Sequence, residues 1–326
     1  MSNITFTPET LTKSFQTYRQ QLITMPMLSM SKLLQHVSIR TGIRYREIVA
    51  EMSGKFQIGN YKKDKSNKNG VDIKARVFET FFGNCVESID PNAIYQSIWG
   101  SNITKGEGLK NVPIVLQVCS YIMAQLGENL YRATFTAKRD PSNFEDTDKF
   151  FNGFKTIIDN DIAGTNETKE ILISTEKNNL MTSAEAINKD NAEDAIKDFY
   201  WDANGKLRDQ KVKLFLSDKN YHNYCEAYQV NHGSLPYNKE YTQRTLDGAP
   251  DCELVPLGCV PDDFMLLSPK RNIYCLYNQK TDDERFICEK SLDNHYDIDF
   301  IANMFFGVQF ESVSPDILRV WEKTGA

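Results

Sequence analysis

Two side chains that could do chemistry lie three residues apart in a segment whose pattern predicts a helix. His222 and Cys225 would share one face of that helix, which suits two zinc ligands or a thiolate with its general base. Either site requires further groups, and the next cysteines, Cys252 and Cys259, are separated by six residues in a predicted strand and turn. We therefore interpret the pair as half-buried residues on a tyrosine-rich helix face, with no metal bound.

Other catalytic templates lack their starting residues. The chain has no glycine-rich dinucleotide or P-loop motif, no zincin motif and no nucleophile elbow. Residues 105–110, KGEGLK, contain two glycines but neither the length nor the hydroxyl group of a phosphate-binding loop. The acidic pairs at 262–263 and 282–283 lie in predicted turns, where aspartate side chains bend and cap the backbone. The sequence predicts no catalytic residue, no cofactor and no enzymatic activity.

The charge of the chain is divided unequally along its length. Residues 1–76 contain 13 lysines and arginines against 5 acidic residues, a net charge of +8, whereas the whole chain carries −6. Residues 77–326 therefore carry −14. A basic leading segment and the acidic body of the next copy attract each other, which favours self-assembly, although two independently solvated surfaces would give the same totals.

Residues 54–70 form a lysine-rich segment with few large apolar side chains and a closing Asn69-Gly70 turn pair. The segment offers only Phe56 and Tyr61 as stacking surfaces for bases, and the acidic remainder of the chain repels a polyanion. Nucleic acid is therefore not expected as the main partner. A weak contact with DNA is compatible with the pattern.

Cysteine usage and hydropathy indicate the compartment. The seven cysteines are odd in number and form no CxxC pair, and the first ten residues lack the basic and apolar runs of a secretory signal. No run approaches the ~18 apolar residues that a membrane-spanning helix requires. We expect folding in a reducing cytosol without membrane insertion.

The leading residues predict an amphipathic helix, with Thr7 as N-cap and Pro8 at the first helical position. Residues 31–53 fit either a helix or a strand followed by a helix, joined at Thr41-Gly42. The narrow apolar stripe of the first helix consists of Leu11, Phe15, Tyr18 and Leu22.

The middle of the chain predicts a strand, a helix and a longer helix. Alternation over residues 71–77 predicts a strand with one buried apolar face and one charged face. Helix signals follow at Asp90-Pro91 and end at Trp99-Gly100. Pro113 begins a helix of about 15 residues, roughly 22 Å long. Its predicted apolar side consists of Ile114, Val118, Tyr121, Ile122 and Leu126.

Residues beyond 145 predict helices first and short strands afterwards. Because strands and helices occur in runs rather than in strict alternation, the expected fold class is α+β with a mixed or antiparallel sheet. The predicted elements are a helix over 146–163 ended by Gly164, a strand over 169–175, a helix over 189–203, a strand over 211–217 whose Ser217 caps the next helix, strands within 252–310, and a last short helix from Ser314.

Several segments, together with the order of the predicted elements, point to one family. The segments are VDIKARVFETFFGNCVESIDPNAIYQSIWG (71–100), FFNGFKTIIDNDIAG (150–164), LFLSDKNYHNYCEAYQ (214–229), CELVPLGCVPDDFMLLSPKRNIYCLYN (252–278) and FFGVQF (305–310). They resemble the major capsid protein of tailed phages, the Hong Kong 97 type of coat protein, and more specifically coat proteins of phages and prophages of Bacteroides-type bacteria. The similarity extends over most of the chain from about residue 30 onward.

The resemblance implies a Hong Kong 97-type capsid fold whose arm and extended loop lie on a neighbouring copy. The residues implied in these intersubunit contacts are Lys62, Lys63, Lys65 and Lys68 of the loop and Leu11, Phe15, Tyr18 and Leu22 of the arm. The implied division is an N-terminal arm (1–53), an extended loop (54–80), a peripheral domain (81–179) with a spine helix (113–127), an axial domain (180–290) and a return to the peripheral domain (291–326).

The function that the resemblance implies is structural. Copies would assemble as hexamers and pentamers into an icosahedral shell around phage double-stranded DNA, formed in the host cytoplasm and retained in the virion. Portal, scaffolding and decoration proteins are further implied partners. Two alternatives stay open: an encapsulin-like compartment that holds a cargo enzyme, and a cytosolic enzyme that uses His222 and Cys225.

Overall fold

The computed structural model describes residues 29–54, 60, 71–90, 114–233, 244–277, 286–292 and 297–324, and these contain thirteen strands and six α-helices. The strands are β1 (Ser38–Arg40), β2 (Arg46–Gly54), β3 (Val71–Glu79), β4 (Phe81–Ile89), β5 (Leu180–Ser183), β6 (Val212–Leu216), β7 (Thr245–Leu246), β8 (Ala249–Pro256), β9 (Phe264–Ser268), β10 (Ile273–Tyr277), β11 (Phe286–Lys290), β12 (Ile298–Phe310) and β13 (Arg319–Lys323). The helices are α1 (Ser31–Leu34), α2 (Ile114–Thr136), α3 (Phe154–Ala163), α4 (Ala192–Trp201), α5 (Gly205–Arg208) and α6 (Asp218–His232).

A five-stranded sheet is built around the long strand β12. One edge of β12 pairs antiparallel with β4, and the other edge pairs antiparallel with β11 and then β10. The short strand β1 joins parallel to β10. The inner face of this sheet packs on α3 and the residues before it, with ring centroids 4.9 Å apart for Phe151 and Phe306 and 5.0 Å apart for Phe154 and Phe310.

A six-stranded sheet has the order β5-β13-β9-β6-β8-β7. Both of its faces are covered, which explains why β9, FMLLS, is buried at every position and reads as a continuous apolar run. Leu214 of β6 packs with α4 and α6 on one face, whereas the neighbouring Phe215 joins the core on the other face, beside Phe135 of α2.

A buried carboxylate joins the two helices on the outer face of this sheet. Glu193, near the start of α4, accepts hydrogen bonds from Lys197 Nζ at 2.8 Å, Asn231 Nδ2 at 2.7 Å and His232 Nε2 at 2.8 Å. Burial by itself disfavours the charge, but the three donors outweigh it and hold the pKa of Glu193 at about 2. The charged cluster thus fixes the end of α6 against α4.

Strands β2 and β3 form a two-stranded antiparallel ribbon, paired from Arg46 with Glu79 to Gly54 with Val71. The base of the ribbon, where Arg46 pairs with Glu79, lies on the outer face of the five-stranded sheet. There Phe78 is fully buried with Ile43 and Leu276, and its ring lies 5.2 Å from that of Tyr274. The ribbon therefore covers the β10 side of that face.

Several predicted elements are confirmed. The strand over 71–77 is β3, the helix over 189–203 is α4, and the strand over 211–217 is β6, with Ser217 Oγ accepting a hydrogen bond from Asn220 N as the N-cap of α6. The strands predicted within 252–310 are also present. The helices predicted over 7–22 and 90–100 lie outside the described residues, apart from Asp90 itself, which is not helical.

The prediction for residues 31–53 was wrong in its second half. Helix α1 and strand β1 are followed by strand β2 and not by a helix. The joint was correctly placed, because Gly42 adopts a φ of +91°, which favours glycine. The physical reason for the strand is long-range: β2 is extended because it pairs with β3, which lies beyond the lysine-rich segment.

The helix predicted from Pro113 is longer and rotated relative to the prediction. It extends over 23 residues, about 34 Å at ~1.5 Å per residue. Tyr121 is 60% exposed, whereas Cys119, Met123 and Leu130 are buried. The buried face of the helix differs from the predicted one because the helix packs on the core at its C-terminal end, where Phe135 contacts Phe154, Phe215 and Phe264.

Three other predictions were wrong in part or whole. The helix over 146–163 begins only at Phe154, although it ends as predicted at Gly164, which has a φ of +67°. Residues 169–175 are irregular and do not form a strand. The residues after Ser314 form a turn that leads into β13, because this segment fills the gap between β5 and β9. The strand β4 was not predicted.

Candidate assembly surfaces

The ribbon is anchored to the body by a buried ion pair. Arg76 Nη2 donates to Asp161 Oδ2 at 2.7 Å, with side chains that are only 13% and 3% exposed. The same guanidinium donates to Gln309 Oε1 at 3.3 Å, and Gln309 Nε2 donates to the carbonyl of Val77 at 3.0 Å. Strand β3 is thus fixed to α3 and β12 by polar contacts at one place.

The base of the ribbon is held by the backbone at a second place. Thr80 N donates to the carbonyl of Tyr45 at 2.8 Å, and Tyr45 N donates to Thr80 Oγ1 at 3.1 Å. Gly307 permits this close approach, since a Cβ at that position would lie 2.4 Å from the carbonyl oxygen of Glu79. The ribbon therefore leaves the body in a defined direction.

The anchoring residue Arg76 was missed by sequence reasoning. The alternation over 71–77 predicts that Ala75 and Val77 are buried and that Arg76 faces solvent. The described residues have the opposite phase, with Ala75 exposed, Val77 half-buried and Arg76 nearly buried. The available signal was Phe78, which lies two residues along the strand on the same face as Arg76 and is fully buried.

The residues predicted to contact a neighbouring copy all lie outside the described residues. They are Lys62, Lys63, Lys65 and Lys68 of the loop, and Leu11, Phe15, Tyr18 and Leu22 of the arm. Their contacts stay a prediction. What the structure adds is the ribbon itself, whose strands β2 and β3 precede and follow the loop in the sequence.

His222 and Cys225 do not form a site together. The side chain of His222 is 71% exposed and its Nε2 lies 3.3 Å from Glu226 Oε1. Cys225 is half-buried and hydrogen-bonded to Tyr221, and burial raises the pKa of its thiol. A raised pKa is the opposite of what a nucleophilic thiolate requires.

The other cysteines considered from sequence, Cys252 and Cys259, are both buried. Burial raises the pKa of Cys252 and raises that of Cys259 to about 12. Within the described ranges, no three His, Cys, Asp or Glu side chains are arranged to hold a metal ion. None of the described helices is long and apolar enough to cross a lipid bilayer.

One further acidic group lies around Lys155. Its Nζ is 3.5 Å from Asp159 Oδ1 and 3.8 Å from both Asp263 Oδ2 and Glu322 Oε1. Burial, followed by hydrogen bonding and repulsion from Asp159, raises the pKa of Glu322 to about 7. The cluster is therefore sensitive to pH near neutrality.

The fold of the chain is similar to that of chains in several solved capsid structures. A chain in the structure of the satellite phage P4 procapsid matches with a TM-score of 0.54 and 12% identity, over 93% of this chain and 98% of that one. The native GTA particle capsid matches with a TM-score of 0.59 and 10% identity, over 90% of both chains. The cyanophage A-1(L) capsid matches with a TM-score of 0.58 and 10% identity, over 89% and 92%. This chain has the Hong Kong 97 capsid fold.

The Hong Kong 97 capsid fold confirms the α+β class expected from the sequence. No protein-family model and no curated protein sequence matches the chain. The likeness therefore lies in the arrangement of the backbone, since nearly nine in ten aligned residues differ from those of the solved capsids.

Proposed function

We propose that the protein is the major capsid protein of a tailed phage, whose copies form hexamers and pentamers of an icosahedral shell around double-stranded DNA. The observation that carries the proposal is the extent of the shared fold, which covers about nine-tenths of this chain and of the capsid subunits it matches. Such coverage leaves little of the chain for a separate activity. The proposed role is structural, without enzymatic activity.

The proposed division follows the fold family. Residues 1–53 act as an arm and residues 54–80 as a loop that lies on the adjacent subunit. Residues 81–179, with the spine helix from 113 to 127, and residues 291–326 form the peripheral domain. Residues 180–290 form the axial domain, to which the six-stranded sheet contributes most of its strands.

The ribbon supports this assignment physically. Its base is fixed by Arg76 and Thr80, yet Ile48 on its outer side is 72% exposed and Tyr45 is 62% exposed. Ordering a polar loop costs roughly 1 to 2 kcal/mol per residue in backbone entropy, which a neighbouring copy can offset by supplying contacts. The basic leading residues and the acidic body give opposite charges to the two sides of such a contact.

Further partners follow from the proposed role. A shell of this kind requires a portal, and scaffolding and decoration proteins are expected to bind it during or after assembly. Packaged DNA makes weak, non-specific contacts with it. The protein is expected in the virion, after assembly in the host cytoplasm.

Electron microscopy of the purified chain tests the proposal. We expect closed hollow shells, and a monomer under all assembly conditions would contradict the proposal. The loop is tested by changing Lys62, Lys63, Lys65 and Lys68 together to glutamate, which should lower particle yield and heat resistance because the attraction to the acidic body is lost. A matched control reverses the same number of charges at exposed body lysines: Lys138, Lys169, Lys189 and Lys211.

One double variant and the contents of the particles test the remaining alternatives. Alanine at both His222 and Cys225 should leave particle formation unchanged. Particles that hold a protein cargo in place of a genome would indicate a compartment shell, and would contradict the proposed capsid role.

A further inference from the structure

His36 lies in a short segment that contacts both of the large sheets. It stands between α1 and β1, and β1 belongs to the five-stranded sheet through its pairing with β10. The ring of His36 faces the six-stranded sheet, where the parallel register places Lys213 of β6 beside Glu253 of β8. Residues 35–40 therefore bridge the two sheets.

The contact with Lys213 fixes the protonation state of His36. Lys213 Nζ lies 2.9 Å from His36 Nδ1 and donates to Glu253 Oε2 at 2.7 Å. A lysine ammonium can only donate hydrogen bonds, so Nδ1 must accept this one with its lone pair. His36 is therefore neutral in this arrangement, with its proton on Nε2.

A second lysine holds the same bridge. Lys270, in the turn before β10, donates from Nζ to the carbonyl of Gln35 at 2.9 Å. The carbonyl of Lys270 in turn accepts a hydrogen bond from Ser38 Oγ at 2.9 Å. The residues on either side of His36 are thus bound to a segment that brings a further positive charge close to its ring.

Cationic groups outnumber acidic ones around His36. The charged groups that face its ring are Lys213 of β6, Glu253 of β8, Lys270 of the turn before β10 and Arg244 just before β7. Of these four, Glu253 alone is acidic, and it is already paired with a lysine. On the segment of His36 itself, Lys32 is exposed and Arg40 pairs with Glu47.

Burial and charge both oppose protonation of this ring. The side chain of His36 is 22% exposed, and its ring meets that of Phe215 edge-on at 6.5 Å. Burial, followed by the charge of Lys213, lowers the pKa of His36 below its ordinary value of 6.5, and Glu253 offsets only part of this effect. A protonated Nδ1 could no longer accept from Lys213, and one carboxylate would then face four positive charges.

We propose that His36 is an acid-sensitive latch, which holds residues 35–40 on the six-stranded sheet when it is neutral and releases them when it is protonated. Because folding lowers its affinity for the proton, the stability that the latch contributes is complete above about pH 6.5 and is lost progressively as pH falls below that value. The direction is opposite to that of Glu322. The latch is a property of the single subunit and does not depend on the proposed assembly.

Hydrogen exchange of the purified full chain, read by mass spectrometry, tests the latch. Between pH 8 and pH 5, residues 35–40 should lose protection by about threefold or more after correction for the intrinsic pH dependence of exchange. His36→Gln keeps an acceptor for Lys213 but cannot take up a proton in this range. Protection of the same residues in this variant should be equal at the two pH values.

Two further variants separate the latch from other effects of acid. His222→Gln is the matched control, because that side chain is 71% exposed on α6 and the variant should respond as the parent does. The double variant Lys213→Met with Glu253→Gln keeps His36 but removes its nearest cation, so its loss of protection in acid should be smaller. The imidazole NMR signal of His36, assigned by its disappearance in His36→Gln, should titrate below 6.5 in the parent and closer to 6.5 in the double variant.

Three results would overturn the proposal. They are equal protection of residues 35–40 at pH 8 and pH 5 in the parent, an acid response of His36→Gln as large as that of the parent, and a titration midpoint of His36 at or above 6.5. None of these measurements requires particles. Failure of the chain to assemble would therefore count against the proposed function and not against the latch.

Discussion

Removing the guanidinium of Arg76 should release the ribbon from the body without unfolding the rest of the subunit. The change Arg76→Met keeps an apolar side chain of similar length but leaves Asp161, 3% exposed, without its cation. Removing one partner of a buried ion pair costs about 3 to 5 kcal/mol. Asp161 Oδ1 keeps a hydrogen bond from Asn166 Nδ2 at 2.9 Å, which places the cost near the lower end of that range.

A cost of about 3 kcal/mol corresponds to a more than 100-fold increase in the open population of the ribbon. Hydrogen exchange read by mass spectrometry measures it, because local opening limits the exchange of paired amides. We expect faster exchange in β2 and β3 and unchanged exchange in β9, which is buried throughout.

The matched control is Arg46→Met on the same ribbon. Arg46 Nη2 lies 2.9 Å from Glu79 Oε1 and 3.4 Å from Glu167 Oε1, but its side chain is 63% exposed, so its loss should change the exchange of the ribbon far less than the loss of Arg76. The double variant Arg76→Met with Asp161→Asn should recover most of the protection, because no buried charge remains unpaired. Equal exchange in Arg76→Met and Arg46→Met, or a double variant as fast as the single one, would refute the reasoning.

Three further variants test packing and buried charge. Gly307→Ala should destabilise the subunit by about 2 kcal/mol in urea unfolding, because its Cβ meets the Glu79 carbonyl at 2.4 Å, whereas Gly205→Ala, with no atom within 4 Å, should not. Because the pKa of Glu322 is raised, the free energy of unfolding of the parent falls as pH rises from about 4.5 to about 7. The free energy of unfolding of Glu322→Gln should therefore equal that of the parent at pH 4 and exceed it by about 2 kcal/mol at pH 8. The pKa of Glu193 is lowered, so the stability that its charge contributes is present above pH ~4.5 and is lost toward pH ~2. Glu193→Gln should therefore lower the free energy of unfolding by about 2 kcal/mol at pH 7, and the stability difference between variant and parent should shrink at pH 3 in the same unfolding assay.

Local chemistry made parts of the fold predictable from sequence. Ser217 as an N-cap and Gly164 as a C-cap are recognisable because each acts on residues within one helical turn. The apolar runs of β9 and β10 are recognisable because burial on both faces removes polar residues. These signals do not depend on which distant segment comes to lie nearby.

The missed elements depend on distant partners. Strand β2 requires β3, and residues 319–323 form a strand only because β5 and β9 leave a gap of one strand between them. The anchor of the ribbon was harder still to predict from sequence, because Arg76 points inward to pair with Asp161, which is 85 residues away in the chain. The predicted contacts of the arm and loop lie outside the described residues and stay predictions.

The position of β13 has a consequence for biosynthesis. It follows every other described strand in the chain, yet it lies inside the six-stranded sheet, parallel to β5 and antiparallel to β9, with Trp321 1% exposed. A ribosome-bound chain cannot close this sheet until residue 323 has left the exit tunnel. A polypeptide cut short by premature termination would therefore lack a finished sheet, and under the proposed function such a subunit should fail to join a particle.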